Sequence, residues 1–173
     1  MKKFLVLLLC AMMMFAFVAC EPNTPEPTET AKAINDEAEL LEAVKEEGSY
    51  YLTADIELSE QLDITAKITL DGKGNTISRS TPTQGEPSDK SVILVGVDGV
   101  VLKNLNVSGT DVQKGWNEGE FGIKVFDSKD VVLENINVTK LNAGIQVNSS
   151  EVTIKVFSLR VIVPFIVTSE LLT

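Results

Sequence analysis

The chain has 173 residues, 25 acidic and 15 basic, a formal net charge of −10, 44% hydrophobic residues and no histidine. Nucleic acid is a poor partner for it, because phosphate binding needs clustered Lys and Arg, whereas the basic residues are scattered and only Arg79 and Arg160 are arginines. The lack of histidine removes every mechanism built on an imidazole base, and with it the commonest transition-metal ligand.

Lys2 and Lys3 precede an apolar run from Phe4 to Ala19, which is followed by Cys20, Glu21 and Pro22. The run is at the short end of the roughly 20 residues that cross a bilayer, and the polar, Pro-rich stretch after it supplies no stop-transfer pattern. Residues 1–19 therefore read as a signal peptide. Phe17-Val18-Ala19-Cys20 resembles the bacterial lipobox, although that motif usually has Leu where Phe17 stands. The resemblance implies that Cys20 is lipidated and becomes the N-terminus, and that the membrane is a partner through this anchor. It places the protein in the bacterial cell envelope, on the extracytoplasmic side. Two or three acyl chains hold more firmly than the marginal anchoring one chain provides. Loss of Lys2 and Lys3 makes the formal charge 13 − 25 = −12. Cys10 and Cys20 both fall in or next to the leader, so no disulfide is expected in the folded domain.

Residues 20–33 contain three prolines with repeated Thr and Glu and no apolar period, the composition of a disordered tether. A domain of residues 34–155 follows. Asn35 or Asp36 offers an N-cap, Glu37 and Glu39 suit a first turn, and Ala38, Leu41 and Val44, with Leu40 beside them, form an apolar stripe that stops at Gly48. This predicts an amphipathic helix of about three turns, placed to cover the end of whatever sheet comes next.

The strongest signal is a repeat. Val100-Val-Leu-Lys-Asn-Leu-Asn-Val107 returns thirty-one positions later as Val131-Val-Leu-Glu-Asn-Ile-Asn-Val138, and Glu151-Val-Thr-Ile-Lys155 begins another copy. Ile68 to Ile77 aligns with them if Lys73-Gly74 is a small insertion at a bend. Apolar and polar residues alternate on either side of a central Asn, the pattern of a strand that bends and continues as a strand. Short repeats of this kind stack as rungs. Inward positions are Ile68 and Leu70, Val100 and Leu102, Val131 and Leu133, Val152 and Ile154. At strand spacings of about 4.8 Å, Asn104 stacks on Asn135 in an amide ladder. Gly122-Ile-Lys-Val125 matches Gly144-Ile-Gln-Val147, with Val92-Ile-Leu-Val95 as a looser relative, and these supply another strand of each rung.

These elements resemble the right-handed parallel β-helix, or pectate-lyase-like (pectin lyase fold), superfamily over roughly Ile34 to Ile154. The implied fold is an all-β solenoid with one N-terminal capping helix. The superfamily includes lyases, glycoside hydrolases, esterases, phage tailspikes and surface adhesins, so the fold does not choose an activity. Its lyases typically gather acidic calcium ligands with an Arg or Lys base, and its hydrolases gather several Asp, often with a His. Neither pattern occurs here, and no catalytic residue is assigned. The outward position of the repeated strand reads Asp71, Lys103, Glu134, Lys155. Alternating signs predict a structural ladder of ion pairs, each worth about 0.2–1 kcal/mol.

Spacing points to the loops. Ile68 to Val100 is 32 residues and Val100 to Val131 is 31, but Val131 to Val152 is only 21. Both surpluses fall at the same corner, after Ile77 and after Val107, so the insertions 79–90 and 109–120 are expected to project side by side. The second contains the chain's single Trp, Trp116, among Asp111, Asn117, Glu118 and Glu120. An indole beside carboxylates and amides can stack on a sugar ring and bind its hydroxyls, directly or through calcium, although no calcium-loop spacing is present. These five residues are the candidate ligand-binding set. Asn106-Val-Ser108, Asn137-Val-Thr139 and Asn148-Ser-Ser150 look like glycosylation sequons and read as strand composition. Residues 156–173 lose both the turn residues and the period of two, as a terminal cap or the edge of a truncated product would.

The leading expectation is a surface-anchored, non-catalytic lipoprotein that binds polysaccharide or another surface in the manner of an adhesin. The alternatives are the N-terminal part of a pectate-lyase-like polysaccharide-degrading enzyme and a truncated product without present function.

Overall fold

Residues that alternate between apolar and polar leave each strand with one face to bury, and this chain buries those faces between two sheets of parallel strands. The computed structural model describes residues 30–79, 91–110, 120–141, 143–155 and 166–168. In chain order the elements are β1 (Lys32–Ile34), α1 (Glu37–Ala43), β2 (Gly48–Leu52), β3 (Ile56–Leu58), β4 (Leu62–Ile64), β5 (Ile68–Asp71) and β6 (Thr76–Arg79). Then come β7 (Ser91–Val95), β8 (Val101–Ser108), β9 (Phe121–Phe126), β10 (Val131–Thr139), β11 (Ala143–Asn148), β12 (Val152–Lys155) and β13 (Ile166–Thr168). The protein is mostly β, with one short helix among the described residues.

The first sheet runs β1-β2-β5-β8-β10-β12, with β6 pairing with the second half of β8 and β3 with β6; the second sheet runs β13-β11-β9-β7-β4. From β2 onward the chain passes back and forth between the two sheets. The sequence repeat sets the register: Leu102 pairs with Leu70 and Leu133, and Leu133 with Ile154. In the second sheet Ile123 pairs with Ile93 and Ile145, as the Gly-Ile-x-Val match predicts. Ile68, Leu70, Val100, Leu102, Val131 and Leu133 are all buried, facing a core that also holds Ile77, Leu105, Val107, Ile93 and Ile123. Val152 and Ile154, also expected inside, are only partly buried. Gly122 stands where its strand comes close to Gly144: an added Cβ would lie 2.5 Å from the Gly144 carbonyl oxygen and 2.5 Å from Val138 Cγ1.

The bend in the repeat is a change of backbone hand. Asn104 and Asn135 sit at φ 50° and 52°, in the left-handed region that Asn tolerates better than other non-glycine residues. In the first copy the register passes from Asp71 opposite Lys103 to Thr76 opposite Asn106, so four residues replace two. The two-residue insertion is therefore real, and it splits β5 from β6.

The helix departs from expectation in length and face. It has 7 residues, about two turns rather than three, and its buried residues are Leu40 and Ala43, continued by Val44, while Ala38 is exposed. Asp36 is the N-cap, accepting from Glu39 N at 2.9 Å, and the Glu39 carboxylate reaches back to Asn35 N at 2.7 Å. Glu37 accepts from Ser59 N and Oγ, and Val44 O accepts from Thr65 N and Ala66 N. The helix is thus fastened to both flanks of β4, the edge strand of the second sheet. Strand β1 begins at Lys32, inside the stretch expected to be tether, and Ile34 at its end is buried.

Candidate functional site

The outward column of the first sheet is in the expected register: Asp71 opposite Lys103, Lys103 opposite Glu134, Glu134 opposite Lys155. Its ion pairs are uneven. Lys155 lies 3.7 Å from Glu134 and Lys103 lies 3.8 Å from Asp71, while Lys103 and Glu134 make no ion pair among the described residues. Asp71 is not the solvated carboxylate that an exposed ladder implies, being only 9% exposed. Its Oδ1 accepts from Lys73 N at 2.9 Å and Asn104 Nδ2 at 3.1 Å, and Lys73 Nζ lies 3.2 Å from Oδ2. Burial alone would raise the Asp71 pKa. The hydrogen bonds from Lys73 N and Asn104, with the Lys73 ammonium, outweigh it and hold the carboxyl below its ordinary value. Every one of these contacts favours a fixed anion, the character of a structural anchor rather than a proton donor.

The expected amide ladder is present, with Asn135 Nδ2 donating to Asn104 Oδ1 at 3.0 Å. A second one lies two residues on and was not foreseen: Asn137 Nδ2 donates to Asn106 Oδ1 at 3.1 Å, and Asn106 Nδ2 donates to Gly74 O at 2.6 Å. The signal was visible as the second Asn of each Leu-Asn-Val or Ile-Asn-Val triplet, which reads as a sequon when taken alone.

The corner from the first sheet to the second carries the two insertions, and their bases are adjacent. Ser78, next to the start of the first, pairs with Ser108, next to the start of the second; Ser91, where the first returns, pairs with Phe121. The corners on either side are short, from Leu58 to Leu62 and from Thr139 to Ala143. Side chains tie each base. Arg79 Nη1 donates to Ser91 O at 3.3 Å, and Ser91 N and Oγ donate to Gln61 Oε1. Thr110 N and Oγ1 donate to Glu120 Oε2 at 3.2 and 2.9 Å. Glu120 is 6% exposed, so it joins the two ends of the insertion rather than standing in water as a ligand. Trp116, Asp111, Asn117 and Glu118 lie outside the described residues, as do residues 1–29, Cys20 among them, and residues 156–165 and 169–173 of the tail.

Below this corner is a polar groove of about 430 Å³ on the outward face of β3, β6 and the second half of β8. Asp55, Glu57, Thr76, Ser78, Ser108, Thr110 and Lys140 line it, together with part of Arg79. Asp55 Oδ1 accepts from Thr76 N at 2.7 Å. Arg79 is only 6% exposed: it stands opposite the buried Leu58 in the register of β3 and β6, and its Nη1 is engaged by Ser91 O. Lys140, at φ 57°, turns the short corner that borders the groove. No sequence pattern marked this groove, because its residues come from four strands and their turns, outside the repeat's Val-x-Leu-x-Asn element. On the other side of the corner, the outward column of the second sheet reads Leu94, Lys124, Gln146, and beyond it stands Phe126, 51% exposed with Lys124 Nζ 5.8 Å from its ring centre.

Among the described residues, no group of three or more Asp, Glu or Cys is placed to hold a metal ion, and no helix is long and apolar enough to cross a membrane. Compared with known proteins, the chain matches no family model, no curated protein and no solved structure.

Proposed function

We propose that this protein is a lipid-anchored, extracytoplasmic right-handed parallel β-helix of the pectate-lyase-like kind, whose insertion-bearing corner binds polysaccharide without cleaving it. The observation that carries the reading is the corner itself. Two long connections, framed by short ones, leave and return at neighbouring registers, with bases tied by Arg79–Ser91 and Thr110–Glu120 beside a polar groove. Solenoid proteins concentrate insertions on one face when that face binds a ligand. The fold assignment is supported by the parallel register of both sheets, the passage of the chain between them and the left-handed Asn bends with their amide ladders. Helix α1, fastened beside the edge strand β4, has the role of the N-terminal cap. Cys20 is the lipidated residue, and the stretch expected to be tether, residues 20–33, is shortened at its end by β1, which starts at Lys32.

Intrinsic fluorescence from Trp116, titrated with acidic and neutral polysaccharides with and without calcium, tests the binding role. A concentration-dependent shift with at least one polysaccharide supports it, and a spectrum that never moves removes it. Following the absorbance of unsaturated uronides in the same samples tests the non-catalytic claim, which a calcium-dependent rise would overturn. Metabolic labelling with a fatty acid, lost in Cys20→Ser, tests the anchor.

A further inference from the structure

The outermost strand of the first sheet has a free edge. β1 pairs with β2 on one side and with no strand on the other among the described residues. Alternate residues of a parallel strand turn both backbone groups to the same neighbour. Ile34 O accepts from Thr53 N at 2.9 Å, so Ile34 and Lys32 are bonded to β2, and Ala33 turns its N–H and C=O to the free side. Asn35 faces the same way, and there the chain supplies a substitute for a strand: Asn35 N donates to Glu39 Oε2 at 2.7 Å. No such substitute reaches Ala33 among the described residues, and Ala33 is exposed. Beside this edge lies a groove of about 460 Å³ with β1 as one wall and α1 as the other. The walls run antiparallel. Glu39 is tied to Asn35 at the end of β1, and Glu46, whose carbonyl accepts from Tyr50 Oη, stands near its start, where Tyr50 is opposite Lys32. Their lengths match, since three strand residues and the helical stretch from Glu39 to Glu46 each cover about 10 Å.

A strand added to β1 turns the side chains opposite Lys32 and Ile34 toward the helix and the one between them outward. Ala38 and Ala43 are small and leave room for those two side chains, and the helix meets them with carboxylates. Glu46 makes no ion pair among the described residues, Glu39 keeps its charge while accepting from Asn35, and Glu42 is shared with Lys45 at 2.9 Å. Lys32, its Nζ 5.9 Å from the Tyr50 ring centre, is the one cation in the lining. The chain's own segments fit this groove poorly. Residues 21–29 carry Glu21, Glu26 and Glu29, which meet like charges, and Pro22, Pro25 and Pro27, which have no N–H to pair. A second copy paired through β1 brings two acidic helices together, each with Glu37, Glu39 and Glu42 followed by Glu46 and Glu47. From the free edge, the groove and its charge we infer that β1 and α1 take an extended basic segment of a partner protein, added as a further strand, with Lys or Arg at alternate positions facing the helix. Aliphatic stems lie on Ala38, Ala43 and Tyr50, and the charged heads reach Glu42 and Glu46. This surface does not depend on the glycan reading of the corner.

Fluorescence anisotropy of a labelled hexapeptide of alternating lysine and threonine, titrated with the purified protein, tests it. Binding that weakens as salt is raised is expected, with none for the glutamate-threonine counterpart. The lysine peptide N-methylated along its backbone keeps its charge but cannot donate to the edge, and is expected to bind at least about tenfold more weakly. Ala33→Pro removes the free-side N–H without touching a bond to β2, a change edge strands tolerate, and is expected to weaken binding by a similar factor. Unchanged thermal unfolding verifies that this variant is folded. Glu46→Lys is expected to weaken binding roughly fivefold or more, whereas Glu151→Lys, the same charge change at an exposed residue beside β12, leaves it unaltered. Equal affinity of the plain and N-methylated peptides, or undiminished binding by folded Ala33→Pro, overturns strand addition. Equal effects of Glu46→Lys and Glu151→Lys overturn the role of the helix. No binding of the lysine peptide, the result if residues 20–29 hold the groove themselves, overturns the proposal, as does a concentration-dependent dimer in sedimentation that Ala33→Pro abolishes.

Discussion

Asn135 donates its side-chain amide to Asn104 Oδ1 across 3.0 Å, and Asn104 in turn donates to Asp71 Oδ1 across 3.1 Å. The chain of amides therefore ends on a carboxylate that the first copy of the repeat supplies from a different position. Both asparagines serve twice, as left-handed backbone residues and as links. Asn104→Ala loses both roles, and with L-alanine in the left-handed region costing about 1–2 kcal/mol and each lost hydrogen bond about 1 kcal/mol, destabilisation of about 2–4 kcal/mol is expected. Asn104→Gly keeps the backbone conformation and should cost about half as much. Urea unfolding of the two variants separates the contributions; equal midpoints would show that the backbone hand contributes nothing.

Asp71 makes stability depend on pH in a definite direction. Its folded pKa is depressed, so its contribution is fully present above the unfolded value of about 3.9 and is lost as pH falls through the lower folded value. The unfolding midpoint should therefore fall on acidification below about pH 4, and part of that fall should vanish in Asp71→Asn. If the difference between the wild-type and Asp71→Asn midpoints is the same at pH 7 and pH 3, Asp71 is not the group responsible.

Much of the architecture was legible because the repeat fixes it. Matching Val100–Val107 to Val131–Val138 gave the register Leu102 opposite Leu133, the inward set and the Asn104–Asn135 contact, since each follows from period two and one strand spacing. The helix is shorter than its propensity suggests: after Val44 N bonds Leu40 O, Lys45 N and Glu46 N turn to Glu42 O and Ala43 O three residues back, and Val44 O is taken by Thr65 N and Ala66 N, which blocks resumption toward Gly48. The enclosure of Asp71 was not visible, because it depends on Lys73, which donates its N to Oδ1 and sets its Nζ beside Oδ2, a feature of the inserted bend rather than of the repeat. The corner was legible by subtraction, from intervals of 32, 31 and 21 residues. Its ties were not, because Arg79–Ser91 and Thr110–Glu120 join residues ten or more positions apart without a recurring motif.

The tie at the second insertion can be tested separately. Thr110→Val keeps shape but removes the hydroxyl donor to Glu120 Oε2, a part-buried, charge-assisted bond worth about 1.5–3 kcal/mol. A lower melting temperature together with weaker polysaccharide binding is expected. A lower melting temperature with unchanged binding would mean that the base of the insertion does not position the ligand site.

Core position also sets an expected gradient. Leu102 is fully buried and contacted from both neighbouring strands, so Leu102→Ala should cost about 2–5 kcal/mol. Ile154 holds the same inward register on β12 but is only partly buried, so Ile154→Ala should cost about half as much or less. Guanidinium unfolding checks the order, and a larger loss at Ile154 would show that it is more enclosed in solution.

Two glycines give opposite expectations for one added methyl group. At Gly122 a Cβ would lie 2.5 Å from the Gly144 carbonyl oxygen and 2.5 Å from Val138 Cγ1, and backbone on a paired strand has little room to withdraw. Gly122→Ala should therefore destabilise by about 1–3 kcal/mol or more, the usual range for overpacking. At Gly96 a Cβ meets nothing within 4 Å, and φ lies outside the left-handed region. Gly96→Ala should stabilise by about 0.4–1 kcal/mol, because alanine narrows the unfolded ensemble without adding a clash. Thermal unfolding of the pair decides the matter: if the two substitutions shift the melting temperature in the same direction, close approach of β9 to β11 is not what requires glycine at position 122.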